Sequence, residues 1–490
     1  MAQHLDGLSD ADIRFLAQEG RAGHAHIGWV MIGEGPPPKY ADLLAHVKAR
    51  LHLVPRHRQK LAQPPLPLAR PLWVDDPRFK LDYHVRHTAL PPPGSLQKLR
   101  GLTGRIFSQG LDLSKPLWEL WLVEGLEKGG FALIQKAHNV LADDVSGANI
   151  ITVLFDPTRE PRQVPAPKRA WIPHPEPTPA ELLAASVRES ISAPLRAAGE
   201  TIDTLRDPER AMATARSVAE GARQVAGAYL SPPSPTPLNV PLGTHRGVIW
   251  RRRPLAHFKE IKDALGGTIN DVYIAAVAGA LRHWLEERGL RPSDLRLRAA
   301  VPITLRHRLD DGREARQIVE CFAPLPVDQA SPVERLRRVH TALDGLKTSR
   351  QALGARAIAA LQNFGPATLL TQASRLDFST PLFNLVTTNL PGPQFPLYLL
   401  GREILQLGPI GALVENCALG VVLVSYNGML EFGLTGDADA LPDLDEIGDA
   451  LDAAVDELLA AARAHPPAAR KPAKKKRQKG KDARAKEARA

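Results

Sequence analysis

Between Ala137 and Gly147 the chain reads Ala-His-Asn-Val-Leu-Ala-Asp-Asp-Val-Ser-Gly, which gathers an imidazole, a carboxamide, two carboxylates and a hydroxyl. An imidazole such as that of His138 can exchange a proton near neutral pH, where its ordinary pKa lies. Asn139 can hydrogen-bond to a hydroxyl but has no comparable basicity. Asp143 and Asp144 add negative charge to the same turn. An imidazole and a carboxylate four residues apart say little by themselves, since His307…Asp311 and His340…Asp344 repeat the interval. The latter sits in a helix-like run with Val339, Leu343 and Leu346 and reads as a surface pair.

The context of residues 138–147 is what makes them informative. Trp118 to Leu126 and Phe131 to His138 are short apolar runs separated by Glu127-Lys128-Gly129-Gly130, the pattern of a β-hairpin delivering the turn. If the Phe131 strand persists, Asn139 shares a face with Phe131 and Leu133, and His138 shares one with Ile134. Exchanging those two faces would require a bulge or a rearranged turn. Trp118 and Trp121 read as core aromatics. His84 and His87, three apart in a strand-like stretch, face opposite sides and do not form a metal pair. Arg251-Arg252-Arg253 suits a phosphate or a solvated strand edge. There is no Gly-x-x-x-x-Gly-Lys, Cys-x-x-Cys or His-Glu-x-x-His, so nucleotide hydrolysis and zinc catalysis have no support.

The 490 residues suffice for two domains with linkers, and 44% hydrophobic with 24% charged residues is ordinary globular composition. Two cysteines, Cys321 and Cys417, exclude a disulfide framework. No run of 18 apolar residues predicts a membrane span, and the acidic start lacks the apolar run of an export signal. A cytoplasmic chain is expected. Nine of the ten net positive charges fall in 466–490, with seven Lys and four Arg against Asp482 and Glu487, so the high charge belongs to a solvated tail. No specific nucleic-acid partner is expected.

Eight prolines between Pro157 and Pro179 mark an interdomain crossover. A helical stretch with Leu183, Val187, Ile191 and Leu195 follows, and Ser231 to Pro241 closes the linker. Beyond it, Arg246–Arg253, Leu297–Leu305 and Leu385–Asn389 read as strands and Thr268–Glu287 as a helix. Val421–Tyr426 and Met429–Thr435 flank an Asn427-Gly428 turn. Asp443 and Glu446 open the last helix in a capping-box-like arrangement. The expected division is 1–160, a linker at 161–241, 242–462, and a basic disordered tail at 463–490.

The segments Pro116-Leu-Trp…Val-Glu-Gly-Leu126, His138 to Gly147, Pro71-Leu-Trp-Val-Asp-Asp-Pro77, Thr268-Ile-Asn-Asp-Val-Tyr273, Ala300-Val-Pro-Ile-Thr-Leu-Arg306, Thr388-Asn-Leu-Pro-Gly-Pro393 and Leu423-Val-Ser-Tyr-Asn-Gly428 occur in order over residues 1–462. In these motifs the chain resembles the bacterial wax ester synthase/acyl-CoA:diacylglycerol acyltransferase family. The resemblance implies a mixed α/β architecture of two chloramphenicol-acetyltransferase-like domains, each a mixed sheet flanked by helices, joined by a Pro-rich and helical crossover. It also implies acyl-CoA as substrate, diacylglycerol or a fatty alcohol as acceptor, and no redox or metal cofactor. Peripheral contact with a membrane or lipid droplet, through the Leu183–Leu195 helix and the tail, fits the same reading.

The resemblance places His138 at the first His of the family's HHxxxDG motif and Asn139 at the second, the general base. Asp143 falls at the motif Asp, Asp144 replaces its Gly, and Ser146 and Gly147 complete Val-Ser-Gly. Asn270 and Asp271 match a family Asn-Asp motif and either shape the channel or cap the helix that starts beside them. Three functions stay open: an acyltransferase working through His138 or a water relay, a non-catalytic relative that binds lipid or partners an active paralogue, and a condensation-type enzyme. The last predicts adjoining carrier or adenylation domains, which this sequence does not show.

Overall fold

The computed structural model describes residues 6–8, 10–17, 19–20, 23–64, 71–141, 150–184, 232–308, 314–348 and 382–465. The strands are β1 (Asp6–Gly7), β2 (His26–Gly33), β3 (Gln59–Ala62), β4 (Leu72–Asp75), β5 (Val85–Ala89), β6 (Trp118–Glu124), β7 (Phe131–His138), β8 (Arg246–Pro254), β9 (Leu297–Arg308), β10 (Glu314–Leu325), β11 (Leu385–Leu390), β12 (Leu397–Leu399), β13 (Arg402–Ile410), β14 (Leu419–Tyr426) and β15 (Met429–Asp437). The helices are α1 (Asp10–Ala17), α2 (Tyr40–Arg50), α3 (Leu81–His84), α4 (Leu96–Ser108), α5 (Ile150–Leu154), α6 (Leu255–Leu265), α7 (Ile269–Glu287), α8 (Pro332–Thr348) and α9 (Leu444–Ala464).

Two six-stranded mixed sheets dominate, in the orders β12-β13-β2-β7-β6-β5 and β10-β9-β11-β14-β15-β8; a small third sheet is β1-β4-β3. The expected hairpin is present, with β6 antiparallel to β7. So is the second one, where Asn427 and Gly428 both adopt positive φ between β14 and β15. The sheets do not follow a simple sequential split. β12 and β13 belong by sequence to the C-terminal half, yet β13 pairs antiparallel with β2 and completes the first sheet.

α7 is the centre of the second half. Its positions from Asp271 to Leu281 are all buried, and Trp284 and Leu285 continue the burial. A helix apolar all round must be enclosed, and the second sheet, α8 and α9 enclose it. Among the described residues no single helix is long and apolar enough to cross a membrane.

The halves are locked by a shared core. Val30, Ile106, Phe107 and Ile134 of the first pack with Val248, Trp250 and Ile410. The Tyr426 hydroxyl donates to the Ile404 carbonyl at 2.6 Å, tying β14 to β13.

Two sequence readings need correction. Asp443 is the N-cap of α9, but its carboxylate makes no cap bond. It accepts instead from Trp284 Nε1 at 2.7 Å and from Arg288 at 2.6 Å, a stronger charge-assisted use of the same oxygens. Arg251 and Arg253 lie on an edge strand as expected but are not a free cationic surface. Arg251 pairs with Asp449 (2.6 Å) and Asp452 (3.3 Å), and Arg253 with Asp456, so the acidic face of α9 neutralises β8. Arg252 points the other way, to buried Glu431 at 2.8 Å. In the linker, Leu182 is the buried residue, packed on Leu72 and Val74; Val187, Ile191 and Leu195 fall outside the described residues, as does the tail beyond 465.

β13 passes so close to β15 that a Cβ at Gly433 would collide with the Pro409 carbonyl. Backbone on both sides leaves nothing flexible to yield. Gly433→Ala should therefore destabilise the protein by about 1–3 kcal/mol, the usual cost of overpacking, as read from urea unfolding.

Candidate active site

Hairpin β6–β7 carries the chain to the motif, and the packing beneath it is aromatic. Trp118 is fully buried, its indole N–H donating to the His57 carbonyl at 2.8 Å and its ring stacked on His84, 4.8 Å between centroids. Trp118 is thus the core residue expected, while Trp121 is half-buried beneath Arg86. His84 closes α3 and His87 lies in β5 against Glu124, so the two imidazoles serve separate contacts.

At the end of β7 successive backbone N–H groups turn to opposite neighbours. His138 N–H donates to Leu117 O (3.0 Å) and Asn139 N–H to Ala25 O (2.8 Å). The strand ends there, and Asn139–Leu141 form a single 3-10 turn. Val140 N–H closes that turn by donating to His138 Nδ1 at 3.2 Å.

That bond fixes the chemistry of His138. An Nδ1 that accepts from a backbone N–H carries no proton, so Nε2 holds it in the neutral ring. Nε2 lies 3.0 Å from Glu19 Oε1 and donates to it. Both ring nitrogens of a residue with no exposed surface are therefore occupied. A general base needs a lone pair directed at the hydroxyl it deprotonates; here that lone pair is held by the protein backbone.

Glu19, just after α1, is the hub. Besides His138 it accepts from Ala25 N–H (2.9 Å) and His24 Nδ1 (3.0 Å). Burial alone would raise its pKa, but the His138, His24 and Ala25 bonds outweigh it and hold the carboxyl well below the usual glutamate range. His26 pairs across the sheet with His138 and is nearly buried. Burial, with the Lys136 charge adding to it, pushes its pKa down to about 2, so the ring is neutral. Lys136, on the same face of β7, donates to the carbonyls of Ile106 (2.9 Å) and Gln109. Burial lowers its pKa to about 8. Glu19, His24, His26 and Lys136 were not singled out from sequence. The signal was present, because His24-Ala25-His26 at a strand entrance places two imidazoles on one face.

Asn139 is half-buried at the start of the 3-10 turn. Its amide can orient a hydroxyl, but it has no basic lone pair comparable to an imidazole's. Asp143, Asp144, Ser146 and Gly147 lie outside the described residues. Asp271 resolves toward capping: with Thr268 it completes a capping box at α7, accepting from Thr268 N at 2.8 Å. The same Oδ2 meets His340 Nδ1 at 2.8 Å, so the half-exposed His340 pairs across to α7. Asn270 Oδ1 accepts from Asn389 Nδ2 at 3.3 Å, joining two of the sequence motifs in space.

Residues 8–273 match the wax ester synthase/diacylglycerol acyltransferase catalytic domain, and 317–459 match the WS/DGAT C-terminal domain. The chain belongs to the wax ester synthase/diacylglycerol acyltransferase family. A Mycobacterium tuberculosis protein bearing the name diacylglycerol O-acyltransferase is 33% identical over 87% of this chain and 83% of its own. A second from that organism, also so named, is 30% identical over 95% of this chain and 98% of its own. Among solved structures, the wax ester synthase/diacylglycerol acyltransferase of Marinobacter aquaeolei VT8 superposes with a TM-score of 0.63 at 25% identity, covering 94% of this chain and 100% of that one. The first condensation domain of the calcium-dependent antibiotic synthetase shares the fold, with a TM-score of 0.53 at 15% identity and coverage of 95% and 97%. The two-domain, chloramphenicol-acetyltransferase-like architecture expected from the motifs is the one observed.

Because Glu19 ionises at lower pH in the folded chain than in the unfolded one, its contribution to stability is complete above the unfolded value near 4.5 and is lost as pH falls below it. Glu19→Gln should lower stability at neutral pH, by about 1–3 kcal/mol for the buried donor it leaves unmet. It should also flatten the acid limb of a plot of unfolding free energy against pH.

Proposed function

We propose that this protein is an acyl-CoA-dependent O-acyltransferase of the wax ester and triacylglycerol type, acting on diacylglycerol or a fatty alcohol, whose transfer step is slow because position 139 carries an amide. The reading rests on one observation above the rest: His138 has both nitrogens engaged, so the imidazole beside Asn139 does not supply the missing base. In the reaction the acceptor oxygen bonds to the thioester carbonyl carbon and the C–S bond breaks. The hydroxyl proton must finally reach the coenzyme A sulfur. A positioned base that carries that proton contributes roughly 10²- to 10⁴-fold to such steps. Asn139 can hold the hydroxyl in line, which preserves the benefit of bringing two substrates together.

Asn139→His combined with Asp144→Gly should raise thioester release from a long-chain acyl-CoA, in the presence of diacylglycerol or a fatty alcohol, by at least about tenfold. Acyl-CoA affinity should change little. A well-folded double variant that binds acyl-CoA and gains no rate would overturn the proposed role of position 139. Wild-type turnover indistinguishable from a heat-killed sample, with acyl-CoA still bound, would favour a purely lipid-binding member of the family.

A further inference from the structure

We propose that Glu19, His24 and His26 form a binding site for one divalent transition-metal ion, for which zinc is the best chemical match. The inference does not depend on the acyl-transfer reading.

Each residue arrives for a local reason. His24 and His26 are two apart as the chain enters β2, so their rings lie on one side and stack, 4.9 Å between centroids. Glu19 follows α1 and is drawn to the same spot by its bonds to His24 and Ala25. The three potential ligand atoms all lie within 4.8 Å of one another. Modest side-chain shifts would bring them to zinc-ligand distances of about 2.0–2.2 Å. Two imidazoles and a carboxylate select zinc over magnesium or calcium, which prefer all-oxygen shells. Three protein ligands would leave a fourth position for water.

A second observation points to a ligand. His26 is only 3% exposed, yet neither Nδ1 nor Nε2 has a hydrogen-bond partner among the described residues. A buried imidazole with both nitrogens unused is rare, and coordination would satisfy one of them. The surroundings also suit a bound cation. Ala25 N–H and His138 Nε2 hold Glu19 Oε1, orienting the carboxylate as outer partners of metal ligands do. Lys136, the neighbouring cation, spends its ammonium on the Ile106 and Gln109 carbonyls. An ion here would clamp the segment after α1 onto β2, beside the strand that ends in His138.

The test uses the full-length chain, stripped with a chelator and titrated with Zn²⁺ by calorimetry and with Co²⁺ by visible absorption. One ion per chain is expected, with the intense Co²⁺ bands of a four-coordinate site. His24→Gln and His26→Gln should each weaken binding at least about tenfold. His245→Gln, at an exposed histidine remote in sequence, should leave it unchanged. If His26→Gln fails to fold, His24→Gln carries the test alone, since that ring is only partly buried. Absence of binding at micromolar ion overturns the proposal and leaves a buried water as the partner of His26. Equal affinity in wild type and His24→Gln also overturns it, because the ion then sits elsewhere.

Discussion

Glu19 accepts three hydrogen bonds at once, and the one from His138 sets the state of the motif. With Val140 N–H donating to Nδ1 and Glu19 accepting from Nε2, the imidazole is held in one neutral tautomer inside a fully buried setting. Turning His138 into a base would mean withdrawing the Val140 N–H from Nδ1 or moving Glu19, and each breaks a buried bond. The first histidine of the motif thus works as a strut. It ties the end of β7 to the segment that follows α1, one residue before the half-buried amide of Asn139.

The rest of the fold keeps that strut in place. β2 lies beside β7 and supplies Ala25 O to Asn139 N–H, while the β6 side supplies Leu117 O to His138 N–H. Beyond β2 stands β13, contributed by the C-terminal half, so the sheet that carries the motif cannot be completed by the N-terminal half alone. The close approach of β13 to β15, and the core shared by Phe107, Ile134 and Trp250, connect the motif strand to the second sheet.

Much of this was legible in the sequence for identifiable reasons. The β6–β7 hairpin and the Asn427-Gly428 turn follow from short-range alternation and backbone preference, which need no knowledge of distant contacts. The buried α7 announces itself by an apolar run preceded by Thr268 and Asp271. The ordered motifs from Pro71 to Gly428 identified the family. What was not legible depends on pairing between remote segments. Nothing local shows that Arg402–Ile410 joins the first sheet, that Arg251 and Arg253 are neutralised by α9, or that Asp443 serves Trp284 rather than its own helix. His138 is the clearest case. Its place in the strand was read correctly, but the partner of its Nε2 is Glu19, 119 residues earlier in the chain.

The most direct measurement is the pH dependence of kcat/KM for acyl transfer in wild type and in Asn139→His. With no free imidazole at the reacting hydroxyl, the wild-type profile should rise smoothly with pH and show no inflection in the histidine range, roughly pH 6–7, whereas Asn139→His should acquire one. A wild-type inflection in that range that disappears in a folded His138→Gln variant would show that His138 is the base after all, and the account given for this site would be wrong.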